Sequence, residues 1–190
     1  MEVSETGGGE ILTARTGPRL WSGVATITAA RPGDQDRVLA YVDLIRQSGA
    51  SFHLFDPRRS RPQSDPSGTL QGVAVCTVQS VAANAREITL QGLPEGFVLT
   101  PGDLVTIPHG TPAVPYLGRV VIGDSFAAGI PTTATVELVP FLPNDVHVGQ
   151  EVTLTQPYCK AVYVPNSFSG VDRKPSHDTG FSFGWRQTVR

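Results

Sequence analysis

Polar and apolar positions alternate along much of the chain. In "LWSGVATITAA" (20–30), Trp21, Gly23, Ala25 and Ile27 fall on one side and Leu20, Ser22, Val24 and Thr26 on the other, the period of two that a strand requires. Both sides carry apolar residues, which predicts a strand lying between two layers. The period changes in "RPGDQDRVLAYVDLIRQSG", where Val38, Val42 and Ile45, flanked by Leu39 and Tyr41, recur at helical spacing. Asp34 suits an N-cap, Asp36 the first turn and Gly49 a C′ stop, so the spacing predicts a helix over 34–48 with Arg37, Asp43 and Arg46 left for solvent or a neighbour. "SFHLFDP" (51–57) alternates again and ends at Pro57.

"RRSRPQSDPSG" (58–68) interrupts the pattern with a polar stretch, basic at its start and rich in Pro, Ser and Gly, which reads as a loop or linker. From Leu70 the reading is continuous β: "GVAVCTVQSV", a turn at "NA" with Asn84 suited to left-handed backbone, "REITLQGL", "YLGRVVI", "TATVELVPF" and "EVTLTQP". Between them "GFVLTPGDLVTI" joins two apolar runs through Pro101-Gly102-Asp103. Pro fixes φ near −65° and Gly takes φ > 0 at no steric cost, the demand of a type II turn, and Asp103 can accept from turn amides. Gly149 in "DVHVGQEVTL" marks a similar corner. "KAVYVPNSF" (160–168) and "FSFGWRQTVR" (181–190) are strands flanking a polar basic loop at 169–180.

The expected architecture is mainly β: a β-sandwich or split barrel with one α-helix, carrying an inserted small β-barrel. A closing strand must find unpaired backbone to bond with. Residues 157–190 are therefore expected to complete the sheet begun near the start. This divides the chain into a discontinuous unit, 1–69 plus 157–190, and an inserted barrel, 70–156. Residues 1–9, with Gly7-Gly8-Gly9, read as a mobile lead-in that orders only against a partner.

Composition supports the β reading, with 20 Gly and 16 Pro in 190 residues and only 17% charged residues. The net charge of −2 supplies no cationic field for nucleic acid or anionic lipid, but it is unevenly spread. Residues 70–156 hold two basic and seven acidic side chains, a net of −5, whereas 157–190 hold five basic and two acidic, a net of +3. No specific nucleic-acid binding is expected of such a middle. Cys76 and Cys159 are far apart in no metal spacing, and read as reduced, buried thiols. No signal-peptide pattern and no apolar run of membrane-spanning length occurs, so the expected product is soluble or carried in a larger particle.

Candidate chemistry is sparse. His53, His109, His147 and His177 form no metal motif, and neither metal nor cofactor is expected. His177-Asp178 beside Ser176 looks like a base with its orienting carboxylate but lacks a nucleophile elbow. Asp103, Glu137, Asp145 and Glu151 could face one another across a barrel as a hydrolase pair, although each falls at a turn or an outward strand position. Gly7–Gly9 has no strand or GK[ST] of a phosphate loop. The basic loops place Arg58, Arg59, Arg61, Arg173 and Lys174 where an acidic neighbour could meet them.

The order of these pieces resembles the distal tail proteins of long-tailed (siphovirus-type) bacteriophages and gene transfer agents. It is carried by "LWSGVATITAARPGDQDRVLAYVDLIRQSGASFHLFDPR" (20–58), "ITLQGLPEGFVLTPGDLVTI" (88–107) and "GFSFGWRQTVR" (180–190). The resemblance implies a β-sandwich subunit with one helix, assembled as a hexameric ring between the tail tube and the baseplate hub, at the distal end of the virion's tail. Tube and hub proteins are the implied partners, with the tape measure protein as a further candidate. It implies synthesis in the host cytoplasm, no membrane, and no catalytic residues. The rival reading is a tail-associated carbohydrate-binding module or cell-wall hydrolase of β-barrel type.

Overall fold

The computed structural model describes residues 2–5, 11–14, 19–28, 32–170 and 180–189. In chain order these form strands β1 (Glu2–Glu5), β2 (Ile11–Ala14) and β3 (Ser22–Ile27), helix α1 (Pro32–Ile45), and strand β4 (Phe52–Phe55). Then come β5 (Cys76–Val81), β6 (Glu87–Gln91), β7 (Val98–Leu99), β8 (Leu104–His109), β9 (Val114–Ile122), β10 (Asp124–Ser125), β11 (Thr133–Val139), β12 (Glu151–Val152), β13 (Tyr158–Tyr163) and β14 (Phe181–Gln187). The fold is mainly β with one α-helix, as the alternation predicts. No helix among the described residues is long and apolar enough to cross a membrane.

Two sheets dominate. Six antiparallel strands in the order β12-β5-β6-β11-β9-β8 curl until the ends nearly meet. Thr106 of β8 and Thr153, just past β12, close the gap by exchanging main-chain bonds of 2.9 and 2.8 Å. The interior of this barrel is a single apolar cluster that includes Val78, Ile88, Leu90, Phe97, Leu99, Ile107, Phe126 and Leu138. The other sheet has the order β3-β14-β13-β4, so strands from near both ends of the chain share it, while all six barrel strands lie between them in sequence.

The four-stranded sheet has one covered face. Ala25, Ile27, Phe52, Tyr163, Phe181 and Phe183 pack beneath the helix side chains Val38, Leu39, Val42 and Ile45. Farther along the same face Leu54, Cys159 and Trp185 meet Leu104 and Leu117 of the barrel, with Trp21 beside them. Trp21 Nε1 donates to the Leu117 carbonyl at 2.8 Å, and the Arg119 guanidinium lies 4.7 Å from its ring centre.

Several local expectations shift. The helix runs from Pro32 to Ile45 rather than 34–48, with Asp34 inside the first turn. Proline needs no amide partner there and an acidic side chain favours that end of the helix dipole. Gly49, expected as the C′ stop, lies four residues past the helix end, in a separate turn closed by the Ala50 amide on the Gln47 carbonyl at 3.1 Å, where its φ of +82° is needed. Tyr41 faces solvent at 63% exposure instead of joining the apolar stripe. At the "NA" turn Ala85 takes the left-handed backbone, at φ +52°, while the Asn84 carboxamide accepts from the amides of Arg86 and Glu87 at 3.0 and 3.1 Å. The first barrel strand starts at Cys76, and Leu70, Val73 and Val75 stay exposed in turns before it.

Glu2–Glu5, expected within a mobile lead-in, pairs with Ile11–Ala14, because the β-prone run that follows supplies backbone partners. Gly7–Gly9 lie outside the described residues. The Pro101-Gly102 corner is the expected turn, with Gly102 at φ +99° and the Asp103 amide donating to the Thr100 carbonyl at 3.1 Å.

Because Val42 is 3% exposed against Phe181 and Phe183, Val42→Asp would place an unpaired charge in that layer. The variant should lose about 3 kcal/mol or more of unfolding free energy. Urea titration checks this, and an unchanged midpoint would contradict the packing.

Candidate assembly surface

Among the described residues no helix or sheet packs on the opposite face of the four-stranded sheet, although Ser167 and Val164 cover it at Gly184. Strand alternation puts His53 and Phe55 of β4, Tyr158, Lys160 and Val162 of β13, Ser182, Gly184 and Arg186 of β14, and Ser22, Val24 and Thr26 of β3 on it. Val24 is 68% exposed and Phe55 41%. The His53 and Tyr158 rings meet at a tilt of 42° with centres 4.7 Å apart. Among these strand residues the charged ones are Lys160 and Arg186, and none is a carboxylate.

Among the described residues, neither outer strand has a main-chain partner on its outer side. The Val164 amide donates to the Gly184 carbonyl and the Gln187 amide to the Trp21 carbonyl, which fixes the phase of the ladders. Phe183 and Trp185 therefore bond to Ala25 and Gly23, leaving the amides and carbonyls of Ser22, Val24 and Thr26 pointing off the sheet. By the same alternation Leu54 and Phe52 bond to β13, and His53 and Phe55 point outward.

The basic residues of the 58–68 segment make contacts within the chain. Arg58 pairs with Asp56 at 3.2 Å, and the Asp56 carboxyl, raised by burial, is lowered more by Arg58's hydrogen bonds and charge, so it ends below its ordinary value. Arg59 donates to the Gly102 carbonyl at 2.9 Å. The Arg61 guanidinium lies over Gly68, where an added Cβ would overlap it. Arg173, Lys174, Ser176, His177 and Asp178 lie outside the described residues.

The segment is a loop, as expected, but an ordered one. Asp103, 4% exposed, accepts from the Thr100 amide and hydroxyl at 2.8 and 3.1 Å and from the Gln63 amide and side chain at 3.0 and 3.2 Å. Asp65 accepts from the Gln71 amide at 2.8 Å. The Gln156 amide donates to the Ser60 carbonyl at 2.7 Å, tying the exit from the barrel to the entry.

The other chemical candidates are dispersed. Glu137 pairs with Arg86, and Glu151 is exposed on β12. Burial pushes the Cys76 thiol up to about 12 and the Cys159 thiol to about 11, so both are inert. No group of three or more metal-ligating side chains occurs among the described residues. Burial lowers His109 below its ordinary value, against the raising charge of Asp145, and its Nδ1 is buried without a hydrogen-bond partner among the described residues. No protein-family model matches the chain, and no curated protein matches its sequence.

Sequence reading singled out the arginines but passed over Lys160 and Arg186. Their signal was positional: each alternates with buried neighbours on adjacent strands, so they emerge on one face only once β13 and β14 are paired.

Two outcomes test this geometry. Asp103→Ala removes the buried acceptor that four part-buried donors share and should cost about 2 kcal/mol while exposing 58–68 to protease; wild-type cleavage resistance would contradict the latch. For His109, the unfolded chain takes up a proton before the folded one, so stability present above the ordinary value of 6.5 is lost as the pH falls below it. His109→Asn should flatten that part of the denaturation-midpoint profile, and an identical slope would remove His109 as its cause.

Proposed function

We propose that the chain is a ring-forming structural subunit, the distal tail ring of a long-tailed bacteriophage or gene transfer agent, joining the tail tube to the baseplate hub at the end of the virion's tail. It acts by assembly and not by catalysis. The observation that carries the reading is the pair of unpaired, oppositely running edges on the four-stranded sheet. An antiparallel sheet with an even number of strands can continue from β4 of one copy to β3 of the next without breaking its alternation under a rotation, which is how head-to-tail contacts close into rings. Six copies is the number that the family resemblance suggests.

Helix and barrel share one face of the sheet, and the bulkier layer fits on the outside of a closed ring, where the circumference is larger. The open face then lines the channel. In this reading residues 1–69 plus 157–190 form the ring unit and 70–156 an inserted barrel reaching outward. Arg58, Arg59, Arg61, Arg173 and Lys174 are contacts to acidic surface, for which the −5 barrel of the next copy and the hub are the candidates.

Electron microscopy of the purified chain, alone and with tube and hub proteins, should show closed rings. Thr26→Pro removes an amide that points off the β3 edge and leaves the inward ladder intact, so it should abolish rings while changing subunit stability by about 1 kcal/mol or less. A wild-type chain that stays monomeric in every mixture, or a proline variant that still forms rings, would overturn the reading.

A further inference from the structure

A third stretch of free edge lies inside the sheet, between the two outer ones. The ladder between β13 and β4 stops at Ala161↔Phe52, while β13 continues to Tyr163 and keeps its bonds to β14. Because Val164 donates to Gly184, the amide and carbonyl of Tyr163 point to the β4 side, where the chain has turned away into the 46–51 loop. No main-chain bond from that loop reaches Tyr163.

In place of a strand there is a hollow of about 390 Å³ between the loop and β13, lined by Ile45, Val162, Tyr163 and Pro165. Its charged lining side chains are Lys160 and Arg46. They lie on different sides of the sheet, Lys160 on the open face and Arg46 on the helix side. Lys160 has no ion-pair partner among the described residues. Arg46 is held in place by the Tyr163 and Phe168 rings, 5.8 and 5.1 Å from their centres. Its carboxylate partner Asp43, at 3.2 Å, is well exposed, and such a pair contributes little. Beyond Arg46 the hollow continues into another of about 430 Å³ along Pro165, Asn166 and Phe168.

We propose that this edge is a docking slot for an extended acidic segment of a partner protein, which adds to β13 as a short strand. Unpaired main chain at Tyr163 supplies the backbone bonds, and apolar walls take alternate side chains, as in strand-addition complexes. Cations on both sides of the slot select carboxylates wherever the alternation places them. The slot is separate from the outer edges of β3 and β4, so ring assembly can fail while this docking holds.

Fluorescence anisotropy with a labelled peptide of alternating glutamate and valine, added to the full chain, tests the slot against a lysine–valine peptide of equal length. The glutamate peptide should bind, lose affinity with added salt, and slow hydrogen exchange at the Tyr163 amide. Lys160→Glu, a change on the open face, should lower its affinity about tenfold. The proposal is overturned if neither peptide binds, if both bind equally, or if the glutamate peptide binds without protecting Tyr163. Protection of Tyr163 that grows with protein concentration and no peptide would also overturn it, by making a second copy the occupant.

Discussion

Thr106 is the point through which both sheets are held. It is 1% exposed, and every polar group it owns is spent on closure: its amide and carbonyl bond to Thr153, its hydroxyl donates to the Tyr158 carbonyl at 2.8 Å, and the Tyr158 amide donates back at 2.7 Å. The backbone pair bridges the two edges of a curled six-stranded sheet and makes it a nearly closed barrel. The side-chain pair fixes where β13 starts. A valine in its place would keep the shape and the barrel bridge but leave the Tyr158 amide and carbonyl buried without partners, the costly half of a lost hydrogen bond.

That junction explains why an inserted barrel does not hang from a slack tether. The chain enters through Arg59, Ser60 and Gln63 and leaves through Gln156, and these segments are bonded to each other and to the Pro101–Asp103 corner. Asp103 answers a local need, the free amide and hydroxyl of Thr100, and a distant one, the two donors of Gln63. A buried carboxylate is tolerated because four donors replace its water. Pro62 and Pro66 also lower what ordering 58–68 costs, since proline leaves the unfolded chain fewer states to lose.

These facts mark the boundary of what the sequence made legible. Alternation in 20–28, 88–91, 133–139 and 181–187 is a property of neighbouring residues, and the strands fall where it places them. So does the helix, whose stripe Val38, Val42, Ile45 survives a shift of two or three residues at its ends. Partnership is not local. Nothing in "VTI" (105–107) or "TLT" (153–155) shows that Thr106 and Thr153 meet, and the link between Asp103 and Gln63 spans 40 residues. Arg58 and Arg59 stood out because three basic residues crowd into four positions. Lys160 and Arg186 did not, because each is a lone charge amid apolar neighbours.

Apolar residues on both sides of β3 suggested burial between two layers, yet one side is bare. Val24, Phe55 and Val162 therefore stand on a surface that a monomer has no reason to keep apolar, beside cations with no carboxylate among them. Covering that surface from within would require a second helix or layer, and among the described residues none packs there. The outward main chain of Ser22, Val24 and Thr26 adds the same demand at the edge, for backbone groups that water alone satisfies invite another strand. In the assembly proposed above, copies would meet edge to edge, and the exposed apolar side chains Val24 and Phe55 would turn toward the enclosed space.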